Sequence, residues 1–304
     1  MISASTTVFD SDSGFQATIS TDQQQLNLAT WATGQGWDGV APAEITINSG
    51  VYVWSNNTSV PGMTTGNFPN GLILYVNGYI IGKGGVGASF PTTDAPVDAT
   101  SGGPALSLGC DITIFGGSNG YIGGGGGGGG CSVSIKAYNS AGGGGAGGGS
   151  GGDGSTSSSI LGGAGGTIGN TGSNGAVTSG GSAAIAGQGG GAGGGGAAER
   201  QSDSSYARSG GGGGRILPGV GGAGGVDDIA LGGDGGSAGA NGENGNGSAG
   251  GGGGWGANGG DGDPDVSYGA GASGGNAVVL NGNAVTWQGE FATDFANHIY
   301  GAVS

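Results

Sequence analysis

Positive charge is scarce in this sequence. Of its 304 residues only five are Lys or Arg and one is His, against 20 Asp and Glu, so the formal net charge is −15 at pH 7. Proteins that bind nucleic acids cluster Lys and Arg side chains to contact phosphates. The basic residues here are scattered along the chain, at Lys83, Lys136, Arg200, Arg208 and Arg215. We therefore expect no nucleic-acid partner and no direct attraction to an anionic membrane surface.

The sequence also has few residues suited to cross-linking, metal binding or membrane insertion. Its two cysteines, Cys110 and Cys131, and its one His are too few for a zinc site. We expect these thiols to be buried rather than joined in a disulfide. Met1–Ser20 lacks the basic start and the apolar run of a secretory signal. No stretch approaches the roughly 20 apolar residues of a membrane-spanning helix.

Glycine, by contrast, is abundant. The chain contains 88 Gly but only 8 Pro, and most of the glycines lie between Tyr121 and Gly275 in blocks such as Gly123–Gly130. Unbroken blocks with little proline exclude collagen, which has Gly at every third position. Apolar and aromatic residues recur at the block edges, which a disordered linker would lack. We therefore expect polyglycine-II helices, with three residues per turn and every N–H and C=O directed at a neighbouring helix.

A bundle of glycine helices needs a folded anchor. Ordering the backbone costs roughly 1–2 kcal/mol per residue, and each hydrogen bond returns only about 0.5–1.5 kcal/mol. The flanking segments are suited to this role, because apolar residues alternate in Glu44–Ser55 and Leu72–Ile81 about turns that contain glycine. These two stretches predict hairpins, the second about Asn77-Gly78. We expect further short strands at Ala105–Leu108, Asp111–Phe115 and Ser132–Ala137.

Helical patterns are short and lie near the two ends of the chain. Thr21–Ala32 begins with a capping box and predicts one short helix. Towards the C-terminus, Asn276–Gln288 predicts a last hairpin about Asn281-Gly282. Phe291–Val303 then spaces its apolar residues as a helix does.

Together these patterns predict a mainly β or irregular fold. We expect a small β-rich base with a short helix, which carries a polyglycine-II helix bundle with inserted recognition loops. Residues 1–120 would form the N-terminal attachment region and base, and residues 121–275 the glycine bundle with its variable loops. Residues 276–304 would form a hairpin and tail that pack back on the base.

Three pieces of sequence carry a resemblance to a known family. They are NGYIIGKGG (Asn77–Gly85), NGYIGGGGGGGG (Asn119–Gly130) and GNAVVLNGNAVTW (Gly275–Trp287). Together with the alternation of glycine blocks and inserts over roughly Leu72–Trp287, they resemble the glycine-rich adhesins at the tips of bacteriophage tail fibres. That family is best known from the long tail fibres of T-even-type phages.

The resemblance implies a binding function. In that family the glycine blocks form a polyglycine-II bundle, and the inserts gather at its far end to grip a receptor on the host surface. For this chain the resemblance implies a place in the virion, at the tail fibre or tail tip, and at the host cell surface on attachment. The partners would be a host outer-membrane protein or surface glycan and a phage tail-fibre or tail protein. A monomer and a homo-oligomer both stay open.

The inserts between glycine blocks supply the candidate receptor contacts, because loops on a rigid scaffold often carry function. Blocks alternate in direction, so about half of the inserts can share one end; we favour Ser89–Ser101, Asp153–Ile160, Ala197–Ser209, Val226–Leu231 and Trp255–Tyr268. Tyr, Trp and Arg contribute most to contact energies. The predicted receptor-binding residues are Asp94, Tyr206, Arg208, Asp227, Asp228, Trp255 and Tyr268, and Arg215 is also suited. Alternatively, Trp255 and Tyr268 simply cap the bundle.

No arrangement typical of catalysis or metal binding stands out. The run Asp261-Gly262-Asp263-Pro264-Asp265 begins like a calcium loop, but Ala272 stands where an EF-hand has Glu, which favours a solvated acidic loop. Adjacent carboxylates such as Asp227 and Asp228 more often solvate a loop than cleave a glycoside. No nucleophile–base pair can be built about His298. We therefore expect no enzymatic activity, no cofactor and no metal.

Three other functions stay open beside receptor binding. The first is a structural or decoration protein of the virion. The second is an ice-binding protein, which would present flat faces rich in Thr, Ala and Ser; the charged and aromatic insert Ala197–Ser209 argues against it. The third is a depolymerase, which would need a carboxylate cluster that the sequence does not display. We favour an adhesin that binds its host.

Overall fold

The computed structural model describes residues 14–89, 96–134, 138–154, 161–176, 186–198, 209–226, 230–246, 248–263 and 267–304. Regular structure in these ranges consists mainly of β-strands, numbered here in chain order. Three sheets are built from parallel strands alone. A fourth, smaller sheet is antiparallel.

The three parallel sheets form the faces of one solenoid. The first sheet contains β1 (Phe15–Ile19), β4 (Ala43–Ile47), β7 (Leu72–Val76), β10 (Ile112–Gly116) and β16 (Val285–Gly289). The second contains β2 (Gln23–Gln24), β5 (Tyr52–Trp54), β8 (Tyr79–Ile81), β11 (Tyr121–Gly123) and β17 (Ile299–Tyr300). The third contains β3 (Leu26–Asn27), β6 (Met63–Thr64), β9 (Leu106–Ser107) and β15 (Val278–Val279). The chain visits the faces in this order and then repeats, so each circuit is one coil stacked on the last.

Alternating apolar residues explain why the coils stack. In β4, β7 and β10 every second residue is buried and its neighbours are partly exposed. The parallel register places Ile45 beside Leu74 and Leu74 beside Ile114, and none of the three is exposed. Each such side chain contributes about 1.5–3 kcal/mol on burial. The interior of the solenoid is therefore the hydrophobic core of the protein.

The turns that we read as hairpin turns are corners of the solenoid. The predicted hairpin Glu44–Ser55 is wrong, because its two strands, β4 and β5, belong to different sheets and each pairs with the next coil. The same holds for Leu72–Ile81, which contains β7 and β8. A Cβ atom on Gly78 would overlap the carbonyl oxygens of Val51 and Asn48 in the preceding coil. Glycine is needed there because one corner lies directly on another.

Helices are few and shorter than predicted. The helix expected at Thr21–Ala32 is displaced: α1 spans Leu28–Gly34, and the preceding residues belong to β2 and β3. Asn27 caps it, because its side-chain oxygen accepts a hydrogen bond of 3.0 Å from the Thr30 amide. Within the described ranges, no helix is long and apolar enough to cross a bilayer.

The C-terminal segment completes the last coil. The predicted hairpin about Asn281-Gly282 is wrong, because β15 and β16 pair with different sheets. The helical spacing that follows yields only α2, at Glu290–Thr293, and a 3-10 turn at Phe295–Asn297. Phe291 in α2 is fully buried and occupies the space that a side chain on Gly116 would need. The helix thus covers the end of the core.

Residues 124–277, between β11 and β15, form what we call the glycine-rich insertion. Its regular structure is the small antiparallel sheet of β12 (Ser132–Ser134), β13 (Tyr138–Ser140) and β14 (Ser267–Tyr268), and none of its described residues is helical. The expected fold class, a polyglycine-II bundle on a small hairpin-built base, is therefore wrong. In its described residues the protein is a parallel-strand, multi-sheet protein with two short α-helices, and only the mainly β part of the expectation agrees with it. The abundance of glycine suggests that the insertion is the main structural unit, whereas the main hydrophobic core lies inside the stacked coils.

Candidate functional site

The two longest connections leave the solenoid at the same corner, between its second and third faces. In successive coils this corner consists of Gln25, then residues 55–62, then residues 82–105, and then the glycine-rich insertion. The two long connections run side by side. The amides of Gly82, Gly85 and Ala88 donate hydrogen bonds of 2.8–2.9 Å to the carbonyls of Gly123, Gly126 and Gly129. The pairing of β8 with β11 thus continues outward without a break.

The segments of the insertion approach each other too closely for side chains. A Cβ atom on Gly126 would overlap the carbonyl oxygen of Gly253, and one on Gly129 would overlap that of Gly250. The Gly126 amide donates to Ala146 at 2.8 Å, so each segment bonds to others on more than one side. Glycine is required here by the spacing of the segments.

Asparagine and aspartate side chains replace backbone acceptors in part of the insertion. Two rows of three residues cross the segments. Within each row, the backbone amide of one residue donates a hydrogen bond of 2.8–3.1 Å to the side-chain oxygen of the residue before it in the row. The rows are Asn241–Asn258–Gly274 and Asn244–Asp261–Gly271. Sequence reasoning missed them, although the three-residue spacing of Asn241 with Asn244 and of Asn258 with Asp261 was a visible signal.

The near end of the insertion packs against the solenoid. There Trp255 is fully buried beside Ile81 and Leu217, and its indole N–H donates to the Ile216 carbonyl at 2.7 Å. Trp255 was among the predicted receptor contacts. The structure places its side chain inside the junction between insertion and solenoid, where it packs and is not exposed.

Two cations also lie at this junction. The Arg215 Nε atom donates to the Gly147 carbonyl at 3.1 Å, and the Lys83 ammonium donates to the carbonyl of Gly148. Neither forms an ion pair with a carboxylate in the described part of the chain. Burial, and next the charge of Arg215, lowers the pKa of Lys83 to about 8, and burial also lowers the pKa of Arg215. Arg215 is thus part of the junction.

At the opposite end of the insertion, which we call the far end, buried serines join the segments. Ser132 donates to the Ser248 carbonyl at 2.7 Å and accepts from the Asp263 amide at 2.7 Å. Ser248 donates in turn to the Leu231 carbonyl at 2.7 Å. Ser209 similarly contacts the carbonyls of Leu161 and Ala176. These hydroxyls satisfy backbone groups where the segments turn, and sequence reasoning did not single them out.

Most predicted receptor-binding residues lie outside the described ranges, namely Asp94, Tyr206, Arg208, Asp227 and Asp228. Described residues on either side of them belong to the far end. Ser89 pairs with Val97, and its hydroxyl accepts from the Asp153 amide at 3.0 Å. Val226 pairs with Leu231. Tyr268 lies in β14, whose backbone pairs with Ser132 of β12.

Four exposed aliphatic side chains lie at the far end, and Val220 is exposed near the junction. Val97, Leu161, Val226 and Leu231 are each about half exposed, and each lies next to, or one or two residues from, an undescribed stretch. Large apolar side chains that stay in water together often mark an interaction surface.

Other candidate groups have structural partners. His298 is buried, hydrogen-bonds through Nδ1 to the Gly120 carbonyl at 2.7 Å and stacks on Tyr121. Cys110 and Cys131 are free thiols, and burial raises the pKa of Cys131. In the described ranges, no group of three or more His, Cys, Asp or Glu residues is arranged to hold a metal.

These features define a class of protein, a parallel β-solenoid with a glycine-rich insertion at one corner. Residues 14–192, more than half of the chain, match the family described as phage tail fibre adhesin Gp38. The chain belongs to that family. It is therefore a tail-fibre adhesin of a phage virion, which confirms the resemblance seen in the sequence.

A solved structure is also similar to this chain. It is the crystal structure of the gp37–gp38 adhesin tip complex of the bacteriophage S16 long tail fibre. The similarity covers 96% of this chain and 82% of that one, at 17% sequence identity and a TM-score of 0.46. A comparison with curated proteins gave no match.

Proposed function

We propose that this adhesin binds a receptor on its bacterial host through the connections at the far end of the glycine-rich insertion. Membership of the tail-fibre adhesin family supports a binding role. The observation that carries the proposal is the position of the exposed Val97, Leu161, Val226 and Leu231 at the far end, opposite the junction with the solenoid. The function needs no catalytic group, since attachment is an equilibrium of binding.

The proposed contacts are Asp94, Tyr206, Arg208, Asp227, Asp228 and Tyr268, together with the exposed aliphatic residues beside them. Tyrosine and arginine are among the residues that contribute most to contact energies. We leave Trp255 out, because its indole is buried at the junction. Both an outer-membrane protein and a neutral surface glycan fit this chemistry.

We also propose that the adhesin is held on the virion by another tail-fibre protein. The similar structure is of a complex between two tail-fibre proteins, gp37 and gp38. The insertion projects from one corner of the solenoid, so the solenoid is the part of this chain available to a fibre partner. A homo-oligomer stays a prediction.

Binding of the labelled protein to intact bacteria tests the proposed function. We expect saturable binding to a subset of strains, which prior adsorption of the phage blocks. The double variant Tyr206→Ala with Arg208→Ala should weaken binding without a change in melting temperature. Val40→Ala, at an exposed position of the solenoid, is the matched control.

Two results would count against the proposal. The first is a folded wild-type protein, mounted on its fibre partner, that binds no strain which the phage infects. The second is equal loss of binding in the far-end variant and the Val40→Ala control.

A further inference from the structure

The outer face of the first sheet carries two rows of side chains in register. One row is Gln16, Glu44, Ile73, Thr113 and Thr286, and the other is Thr18, Thr46, Tyr75, Phe115 and Gln288. All of them are at least partly exposed. This face belongs to the solenoid and is separate from the far end.

A change in side-chain size divides the second row. Tyr75 stacks on Phe115, with ring centroids 5.0 Å apart and an angle of 20° between the rings. On its other side the neighbours of Tyr75 are Thr46 and then Thr18. One face of the tyrosine ring is therefore covered by Phe115, and the other stands above two short side chains. We call this arrangement the Tyr75 step.

Polar groups with few or no hydrogen-bond partners in the described residues surround the step. The hydroxyls of Thr18 and Thr46 hydrogen-bond to no other described residue. The Glu44 carboxylate, two residues along β4 from Thr46, accepts one hydrogen bond of 3.2 Å, from the Gln16 amide. A carboxylate has room for about four such bonds. Hydroxyl donors of a ligand would find acceptors here.

A cavity lies along the first row, and none of the residues of the step itself lines it. Its volume is about 510 Å³, and its lining includes Glu44, Ile73, Thr113 and Thr286. Cavities of roughly 300–1,000 Å³ are typical of small-molecule sites. Glu44 thus lies between the open ring face and a larger concave region.

We propose that the Tyr75 step and its cavity bind a neutral oligosaccharide. A pyranose ring presents C–H groups on one face, and these contact the negative face of an aromatic ring. Carbon atoms in contact lie about 3.5–4.0 Å apart, and adjacent strands lie about 4.8 Å apart. A sugar ring against Tyr75 therefore lies above Thr46, with Glu44 and Thr18 in reach of its hydroxyls.

The negative charge of the protein favours a neutral sugar as the ligand. The two rows contain one carboxylate, that of Glu44, and the cavity adds a second, that of Asp111; neither the rows nor the cavity lining contains Lys or Arg. The protein as a whole carries a formal charge of −15. Sialylated or phosphorylated glycans would be repelled, whereas a neutral hexose polymer would not. The site would hold the virion weakly on surface polysaccharide, independently of the far-end receptor.

The test uses the full-length protein and an array of neutral and acidic oligosaccharides of defined structure, followed by saturation-transfer NMR with each one bound. We expect binding of at least one neutral member. Glu44→Gln should weaken it by more than about tenfold, since a hydrogen bond to a charged group is lost. Tyr75→Ser should abolish binding and Tyr75→Phe should retain it, because the phenyl face is kept.

Gln288→Ala is the matched control, since Gln288 lies in the same row beyond Phe115. It should bind as the wild type does. The proposal is overturned if no neutral oligosaccharide binds at millimolar concentration, if acidic members bind better, or if Glu44→Gln and Gln288→Ala behave alike. Loss of strain-specific binding in Tyr75→Phe would instead assign this face to a protein partner. The oligosaccharide-binding results do not depend on the far-end residues.

Discussion

The guanidinium carbon of Arg215 lies 4.5 Å from the centre of the Trp54 ring. Trp54 belongs to β5 of the solenoid, and Arg215 belongs to the glycine-rich insertion. The same arginine hydrogen-bonds to the turn at Gly147. This side chain therefore contacts both parts of the molecule, together with Trp255 and Lys83 at the same junction.

Replacing Arg215 should weaken this junction. Arg215→Met loses a cation–π contact and a charged hydrogen bond, and we expect a loss of about 1–3 kcal/mol in the free energy of unfolding. Arg215→Lys keeps the charge but loses the planar group that lies over Trp54. Its free energy of unfolding should therefore lie between those of Arg215→Met and the wild type. Thermal unfolding followed by tryptophan fluorescence measures the effect. An unchanged melting temperature in Arg215→Met would show that packing alone holds the junction.

Lys83 should make stability depend on alkaline pH. Its pKa is about 8 in the fold against an ordinary value of 10.5. Between these values the unfolded chain holds a proton that the folded chain lacks, so this group raises the free energy of unfolding as pH increases from 8 to 10.5. Lys83→Met lacks that gain. The stability difference, wild type minus variant, should be flat below pH 8 and rise above it; a fall would contradict the assignment.

Tyr52 should have the opposite effect at higher pH. Burial, and next the neighbouring Tyr79 and Asp22, raises the pKa of Tyr52 to about 12, against an ordinary value of 10.0. The unfolded chain then releases its proton first, so stability is lost as pH rises from 10 towards 12. Tyr52→Phe removes this contribution. Denaturant unfolding at pH 9 and pH 11 should show a smaller loss in the variant than in the wild type.

Close packing of the glycine segments predicts that two Gly→Ala substitutions will differ strongly in their effect on the free energy of unfolding. Gly126→Ala places a methyl group against the Gly253 carbonyl and should cost at least about 1–3 kcal/mol. Gly34→Ala, at the end of α1, meets nothing within 4 Å and should stabilise by about 0.4–1 kcal/mol. The melting temperatures of the two variants measure this difference in stability. Equal tolerance of both would mean that the segments can move apart.

The row that begins at Asn241 offers a test by hydrogen exchange. Its side-chain oxygen accepts a 3.1 Å hydrogen bond from the Asn258 amide. Asn241→Ala should cost about 0.5–1.5 kcal/mol and speed exchange of that amide. Asn241→Asp keeps an acceptor oxygen and should leave the exchange slow. The Asn258 amide signal in NMR reports both.

The sequence predicted the strands better than their arrangement. Alternation in Leu72–Ile81 correctly placed β7 and β8, but the Asn77-Gly78 turn suits both a hairpin and a solenoid corner. Only the contact with Val51 of the preceding coil distinguishes the two, and that contact is not local in sequence. Local sequence patterns therefore cannot predict the parallel stacking of the coils.

The candidate site was predictable only in part. Glycine blocks that alternate in direction implied that inserts would gather at an end, and the flanks of Val226–Leu231 do lie beside Ser248. Trp255 could not be separated from the inserts, because burial depends on what packs around the block edge. The Tyr75 step depends on which residues of four different strands become neighbours, and no single stretch contains that information.

The place of the insertion in the chain has a consequence for the order of assembly. Strand β10 is made before the insertion and its partner β16 after it, so the last coil cannot close until the whole insertion has left the ribosome. During that interval β10 has an open edge, which is prone to pair with other chains. Pairing over such a separation in sequence is also slow. Synthesis of this adhesin therefore includes a period of exposure, during which the half-finished solenoid needs protection from its own neighbours.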